Sequence, residues 1–250
     1  MGKILAITGM HRSGTSLVAN YLQLCGVHIG DTLHPADRGN PRGYYEDVDF
    51  LKFHKDLLSF LGLSIFLLEE KQLRSQVPAR FGLRAKEIIE KKERYTVWGW
   101  KDPRTSLFLD FWQEIIHDLK VLFLLRHPVS VVGSLLRRGT DRIVKRRPSI
   151  AFQSWHCYNE RILQFYRENR ANCFLVDIDD FLRDATGVIS RLALKLEIDL
   201  SVEKFDTVYA KGVFKNDRDL YDTSLILSCP LNSFRCLRLY RRMKQLADWP

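Results

Sequence analysis

Four runs of apolar, β-branched and aromatic residues punctuate the chain, at Lys3–Thr8, Thr96–Lys101, Lys120–Leu125 and Asn172–Ile178. They are short and almost continuously apolar, which is the pattern of parallel strands buried on both faces; half-exposed strands alternate instead. Elsewhere the period changes to that of a helix. Thr15–Cys25 sets Leu17, Tyr21, Leu22 and Leu24 on one broad face, and Asp47–Leu63, Ala85–Lys92, Ser106–His117, Ser130–Arg138 and Ile150–Asn169 repeat the spacing. Strands alternating with helices predict an α/β fold of three layers, a mainly parallel central sheet flanked by helices. No repeat, low-complexity tract or linker divides residues 1–250, so a single domain is expected. Gly30–Gly43, rich in Gly, Pro and Asn, reads as a long loop, a kind of segment that usually carries function or moves. Near the end of the chain, within a basic tail spanning 231–250, Ser233–Ala247 places Phe234, Leu237, Leu239, Tyr240, Met243 and Leu246 among five basic residues. Such an amphipathic helix most often docks on its own domain; peripheral contact with anionic lipid is the alternative.

Composition narrows the class. A chain of 250 residues, 46% hydrophobic and 28% charged, has ordinary globular balance, which excludes a wholly disordered protein. No run approaches the ~18 to 20 apolar residues of a membrane span. The N-terminal apolar core, Ile4–Ile7, is shorter than the ~7 to 15 residues of a secretory signal. A soluble, cytoplasmic protein is expected. The five cysteines (Cys25, Cys157, Cys173, Cys229, Cys236) are scattered, odd in number and free of C-x-x-C spacing, which fits a reducing compartment without disulfides or a zinc knuckle. Thirty-nine Lys and Arg against thirty Asp and Glu leave a charge of +9. That excess favours a polyanionic partner: nucleotide, nucleic acid, acidic glycan or anionic membrane.

The first strand runs into Gly9-Met10-His11-Arg12-Ser13-Gly14-Thr15-Ser16 and then directly into a helix. The Gly-x-x-x-x-Gly spacing is that of a P-loop, whose backbone N–H groups turn inward at the positive end of a helix and cradle a phosphate-like anion. The Lys-Ser/Thr of the ATP- and GTP-binding version is absent: Thr15 stands where the lysine would be, and Arg12 supplies the charge. The third strand ends in Arg126-His127-Pro128, where triphosphatases place a magnesium-binding aspartate. Pro128 suits the first position of a helix, and Ser134, eight residues after Arg126, falls within that helix. A guanidinium and a hydroxyl beside a phosphate cradle point to a second phosphate rather than a metal.

Arg12-Ser13-Gly14-Thr15-Ser16 followed by Arg126 and Ser134 resembles the paired signature of sulfotransferases that use 3′-phosphoadenosine-5′-phosphosulfate (PAPS), in particular the bacterial and Golgi-type branch. The similarity covers roughly Lys3 to Phe181. It implies a fold related to the P-loop kinases, PAPS as sulfuryl donor with 3′,5′-ADP as product, and no metal. In that family the first loop, here Arg12, Ser13, Gly14, Thr15 and Ser16, binds the 5′-phosphosulfate, and the Arg…Ser pair, here Arg126 and Ser134, binds the 3′-phosphate. Gly43-Tyr44-Tyr45-Glu46 resembles the branch's catalytic glutamate region, which makes Glu46 the candidate base. Lys101-Asp102-Pro103 resembles a tripeptide of tyrosylprotein sulfotransferases whose lysine stabilises the transferring group, a role carried to Lys101. Arg12 would stabilise leaving-group charge, since arginine keeps its proton at any working pH. Asp47, Asp49, His11, His34 and His54 are fallback bases.

Three segments have less definite meaning. Arg137, Arg138, Arg142, Lys145, Arg146 and Arg147, with Asp141 and Gly139, read as an exposed basic loop that gathers the anionic donor or an acidic acceptor, or simply faces solvent. Asp177, Asp179 and Asp180 read as helix-cap carboxylates. Lys211-Gly212 faintly resembles the element that closes over PAPS in cytosolic enzymes. The acceptor is an unidentified hydroxyl or amine, with carbohydrate favoured by the branch. Two other classes share part of the pattern: a P-loop small-molecule kinase, which would need ATP and magnesium, and a noncatalytic nucleic-acid-binding protein, which would leave the glycine cradle unexplained.

Overall fold

Among the described residues, β1 (Lys3–Thr8), β2 (Val97–Lys101), β3 (Lys120–Leu125) and β4 (Cys173–Asp177) form one sheet in the order β2-β1-β3-β4, with every pairing parallel. The structure is a computed structural model and describes residues 2–37, 40, 43–66, 77–139, 141–207 and 224–249. Every residue of β3 and β4 is buried, as continuous apolar runs require when helices cover both faces. Side chains alternate between two cores: Ala6, Val121 and Phe123 face one, and Leu5, Ile7, Leu122 and Leu124 face the other. The first core is rich in aromatics, with Phe50 stacked on Trp100 at 4.3 Å between ring centroids.

Helices follow the strands: α1 (Thr15–Leu24), α2 (Val48–Phe60), α3 (Ala79–Glu90), α4 (Leu109–Ile115), α5 (Pro128–Arg138), α6 (Arg142–Arg146), α7 (Pro148–Glu168), α8 (Ile178–Arg183), α9 (Ala185–Leu196) and α10 (Pro230–Leu246). Their starts are chemically marked. Asp47, Asp177 and Asp184 accept the backbone N–H of Asp49, Asp179 and Gly187, so Asp177 is the helix cap expected of it. Pro128 opens α5, and Gly139, in the left-handed region at φ 68°, closes it.

The helix expected over Ser106–His117 is broken in two. A 3₁₀ turn, Pro103–Leu107, precedes α4. Asp102 caps that turn at Arg104 N, while Ser106 Oγ and Thr105 Oγ1 are engaged by Thr8 Oγ1 (2.7 Å) and Trp100 Nε1 (2.9 Å). Those side-chain bonds to the ends of β1 and β2 override the local helical preference. The basic segment expected as an exposed loop is instead the end of α5 followed by α6, because Val144 is fully buried and anchors a turn of helix while the cations around it stay outside. Lys211-Gly212 lies outside the described residues.

Helix α10 docks on the domain as expected of the commoner fate. Cys236, Leu239, Tyr240 and Met243 are buried, and the Tyr240 hydroxyl donates to Asp177 Oδ2 at 2.7 Å. Among the described residues no helix is long and apolar enough to cross a membrane.

The register places Ile7 beside Lys101 and Thr8 beside Phe123, so β1, β2 and β3 finish along one edge. From β1 the chain crosses to β2 on one side and then to β3 on the other. The loops therefore part at this edge and leave a crevice outside the carboxyl ends of the strands, where α/β sheets bind ligands.

Candidate active site

At the end of β1 the chain has to turn tightly over its neighbour. Gly9, at φ 155°, is the only residue type that fits, since a Cβ there would lie 2.4 Å from the Leu124 carbonyl oxygen. Gly14, at φ 91°, then starts α1 from the left-handed region without a side-chain cap, so the first amides of the helix are presented to the crevice. Between the glycines, Arg12 also adopts φ 71°, a strained conformation for a residue with a side chain. Two bonds from a distant element hold it there. Arg126 Nη1 donates to the Arg12 carbonyl at 2.8 Å, and Arg12 Nε donates to Ser134 Oγ at 2.9 Å. The cradle and the Arg…Ser pair are thus one stitched unit. With its oxygen accepting from Arg12, the Ser134 hydroxyl keeps its own hydrogen to donate to an anion.

These groups border a cavity of about 610 Å³, within the range of nucleotide-sized sites. Arg12, Gly14, Thr15, Ser16 and Arg126 line it. Ser13 is buried behind the loop with its N–H on the Met10 carbonyl, and Ser134 reaches the wall through Arg12. Charge in the wall is strongly positive: Lys55, Lys101, Arg104 and Arg138 join Arg12 and Arg126, against Asp37, Glu46 and Asp141. Burial and the nearby Arg138 lower the Arg12 pKa, the mark of cations crowded where an anion belongs.

The end of β2 supplies the second group. Lys101 Nζ donates to Glu46 Oε1 at 2.7 Å, and Arg104 Nη1 stands 3.6 Å from Glu46 Oε2 and 2.9 Å from Asp102 Oδ1. Burial works against the charge of Asp102, yet Arg104 and His54 outweigh it and hold the carboxyl below its usual range. The same Asp102 and Glu46 charges raise the Arg104 pKa against its burial. Glu46 is delivered by the long loop, and a clasp centred on the buried Lys92 and Asp47 fixes that loop. Lys92 Nζ donates to Asp31 Oδ2 (2.6 Å) and Asp47 Oδ2 (2.8 Å), and the Asp31 N–H also reaches Asp47 Oδ2. The His34 N–H donates to the Glu46 carbonyl at 2.7 Å, and Ser16 Oγ donates to the Tyr44 carbonyl at 3.1 Å.

Structure separates the fallback bases. Asp47 is occupied by Lys92 and by capping α2, and Asp49 sits half-buried with Lys91 3.8 Å away, outside the cavity wall. Trp112 Nε1, a donor only, points at His54 Nε2 at 2.9 Å, so His54 must donate through Nδ1 to Asp102; both ring nitrogens are spent. His34 lines the rim with Nδ1 on the Pro35 carbonyl, and His11 lines the interior. Sequence alone assigns no role to Arg104 and offers Arg138 only as one cation of the basic segment. The first directly follows Lys-Asp-Pro, where its position was a usable signal. The second hides in a basic run, and only folding brings it to the Tyr44 hydroxyl at 3.0 Å.

A mainly parallel sheet with a glycine cradle and a cationic crevice at its switch point defines an anion-handling α/β enzyme. Residues 5–202 match the sulfotransferase family, and the chain belongs to it. Solved structures with the same fold include the sulfotransferase domain from the curacin biosynthetic pathway (16% identity, TM-score 0.55, 100% of this chain and 99% of that one). The sulfotransferase domain of the Synechococcus PCC 7002 olefin synthase is similar at 18% identity and TM-score 0.54, over 100% and 96% of the two chains. A sulfotransferase from Alicyclobacillus acidocaldarius follows at 14% and 0.52, over 96% of each. No curated protein matches the chain.

Proposed function

We propose that this sulfotransferase takes its sulfuryl group from PAPS and passes it to a hydroxyl acceptor, with carbohydrate the favoured class. The observation that carries the reading is the stitched pair of anion sites: a cradle of helix amides at Gly14–Ser16, joined through Arg12 to Ser134 and Arg126. A nucleotide with phosphates at both 5′ and 3′ positions matches two anion sites held at fixed separation, whereas one cradle would suffice for a single phosphate chain.

In this reading Glu46 accepts the acceptor's proton. The acceptor oxygen bonds to sulfur as the bond from sulfur to the leaving phosphate oxygen breaks. Lys101 holds the Glu46 carboxylate in place and, with Arg12, faces the charge that grows on the leaving oxygen. Asp102 and His54 position Arg104 against Glu46.

Isothermal calorimetry tests the donor. The protein should bind 3′,5′-ADP at least about tenfold more tightly than 5′-AMP, and Arg126→Ala or Ser134→Ala should abolish the difference. Equal affinity for the two nucleotides, or a preference for ATP with magnesium, would overturn the assignment.

A further inference from the structure

Buried polar atoms in folded proteins nearly always find a partner, because one left unsatisfied has given up its hydrogen bonds to water for nothing. Three such atoms without a partner among the described residues belong to neighbouring side chains: His11 Nε2, Arg104 Nε and Tyr158 Oη. His11 and Arg104 line the cavity. Tyr158, fully buried on α7, meets the His11 ring edge-on at 5.8 Å and lies close enough to Arg104 for that charge to act on its hydroxyl. Around them Arg104 Nη1 is served by Asp102 and Lys101 Nζ by Glu46. The one other buried cavity-lining side-chain atom without a partner among the described residues, Arg138 Nε, belongs to a side chain held at the Tyr44 hydroxyl. His11 Nε2, Arg104 Nε and Tyr158 Oη form a polar notch beside the Glu46 carboxylate.

From this we infer that the acceptor carries a second oxygen function, on a carbon near the one that is sulfated, and that His11, Arg104 and Tyr158 receive it. The inference rests on the sulfuryl-transfer reading and specifies its substrate as a polyhydroxylated compound. The chemistry of the notch selects that class. Arg104 Nε can only donate. Burial pushes the Tyr158 phenol well above its ordinary value, so its hydroxyl keeps its proton. Burial, aided by Arg104, holds His11 well below the usual imidazole value, so the ring is neutral and one nitrogen accepts. A hydroxyl both donates and accepts and so satisfies such a set. An apolar group leaves the atoms unsatisfied, and a cation meets Arg104 and Lys101.

The test uses the full chain with PAPS and a panel of methyl hexopyranosides, each paired with its monodeoxy counterparts. The wild type should sulfate at least one glycoside about tenfold or more faster, in kcat/KM, than the counterpart lacking a hydroxyl next to the sulfated position. Tyr158→Phe, which keeps the ring, and His11→Phe should each bring that ratio toward one, and 3′,5′-ADP affinity should be unchanged in Tyr158→Phe. A wild type that does not discriminate, or a ratio that survives both variants because the notch merely holds water, overturns the inference. Calorimetry with 3′,5′-ADP separates the failures. Binding with an unchanged ratio sinks the notch alone, and absence of binding sinks the donor reading and the notch with it.

Discussion

Lys101 and Glu46 show how much a single contact can carry. Both are almost wholly buried, and their 2.7 Å bond joins the end of β2 to the end of the long loop. Replacing Glu46 by Gln preserves shape and hydrogen bonding to Lys101 but removes the basic oxygen. Transfer should then slow by about 10²- to 10⁴-fold, the usual weight of general base catalysis. Affinity for 3′,5′-ADP should stay near that of the wild type, because the cradle and Arg126 lie elsewhere. Pre-steady-state sulfation rates beside calorimetric affinities check this, and a Glu46→Gln enzyme with wild-type rates would remove Glu46 from the chemistry. At this scale legibility followed chain proximity. Arg12, Gly14 and Thr15 announce themselves because the loop's spacing is itself the motif, whereas the His11–Arg104–Tyr158 notch joins residues of three separate elements and has no linear signature. His54 could not be dismissed from sequence either, since the bonds that occupy it come from Asp102 and Trp112.

Elements were legible where local pattern and tertiary packing agree. β1 and β3 begin and end where their apolar runs do, because a strand buried on both faces must be apolar throughout. Disagreement arose where tertiary bonds win, as in the 3₁₀ turn Pro103–Leu107, or where one buried residue, Val144, turns a basic stretch into helix α6. The long loop is the clearest case. Its sequence suggests mobility, but the Asp31–Lys92–Asp47 clasp pins its ends, and those bonds outweigh the partial desolvation of Asp31 and hold it below its ordinary pKa. Asp47→Asn should strip Lys92 of its better buried partner and weaken the α2 cap, a loss of about 3 kcal/mol. That corresponds to about 6–12 °C in Tm for a chain of this length. Asp49→Asn, at a half-buried position with a loose 3.8 Å pairing, should change Tm by about 1 °C or less. Scanning calorimetry of the two variants decides: similar shifts would mean the clasp does not hold the loop.

Across the whole molecule the same crowding of cations has a consequence for acid stability. A chain already at +9 gains charge as pH falls, and its histidines are the first groups to respond. His11 is held well below its ordinary value by burial and by Arg104, and His156 is lowered by burial and Arg235. In the unfolded chain a histidine titrates near about 6.5. Above that pH neither state binds the proton, so these groups leave stability unchanged. Below it the unfolded state takes up protons that the folded state refuses, and stability falls with pH, at up to about 1.4 kcal/mol per unit for each fully refused proton. The carboxylates held low by ion pairs, Asp31, Asp102 and Asp118, act in the same direction only below about pH 4. Between about pH 6.5 and 5 the histidine contribution is therefore separable from theirs. The difference in unfolding free energy between the wild type and His11→Phe, followed by urea titration across that window, should shift in favour of the variant as pH falls. A difference independent of pH would mean that His11 takes up its proton in the folded state as readily as in the unfolded one, and that the wall of the cavity is far less hostile to positive charge than its arginines imply.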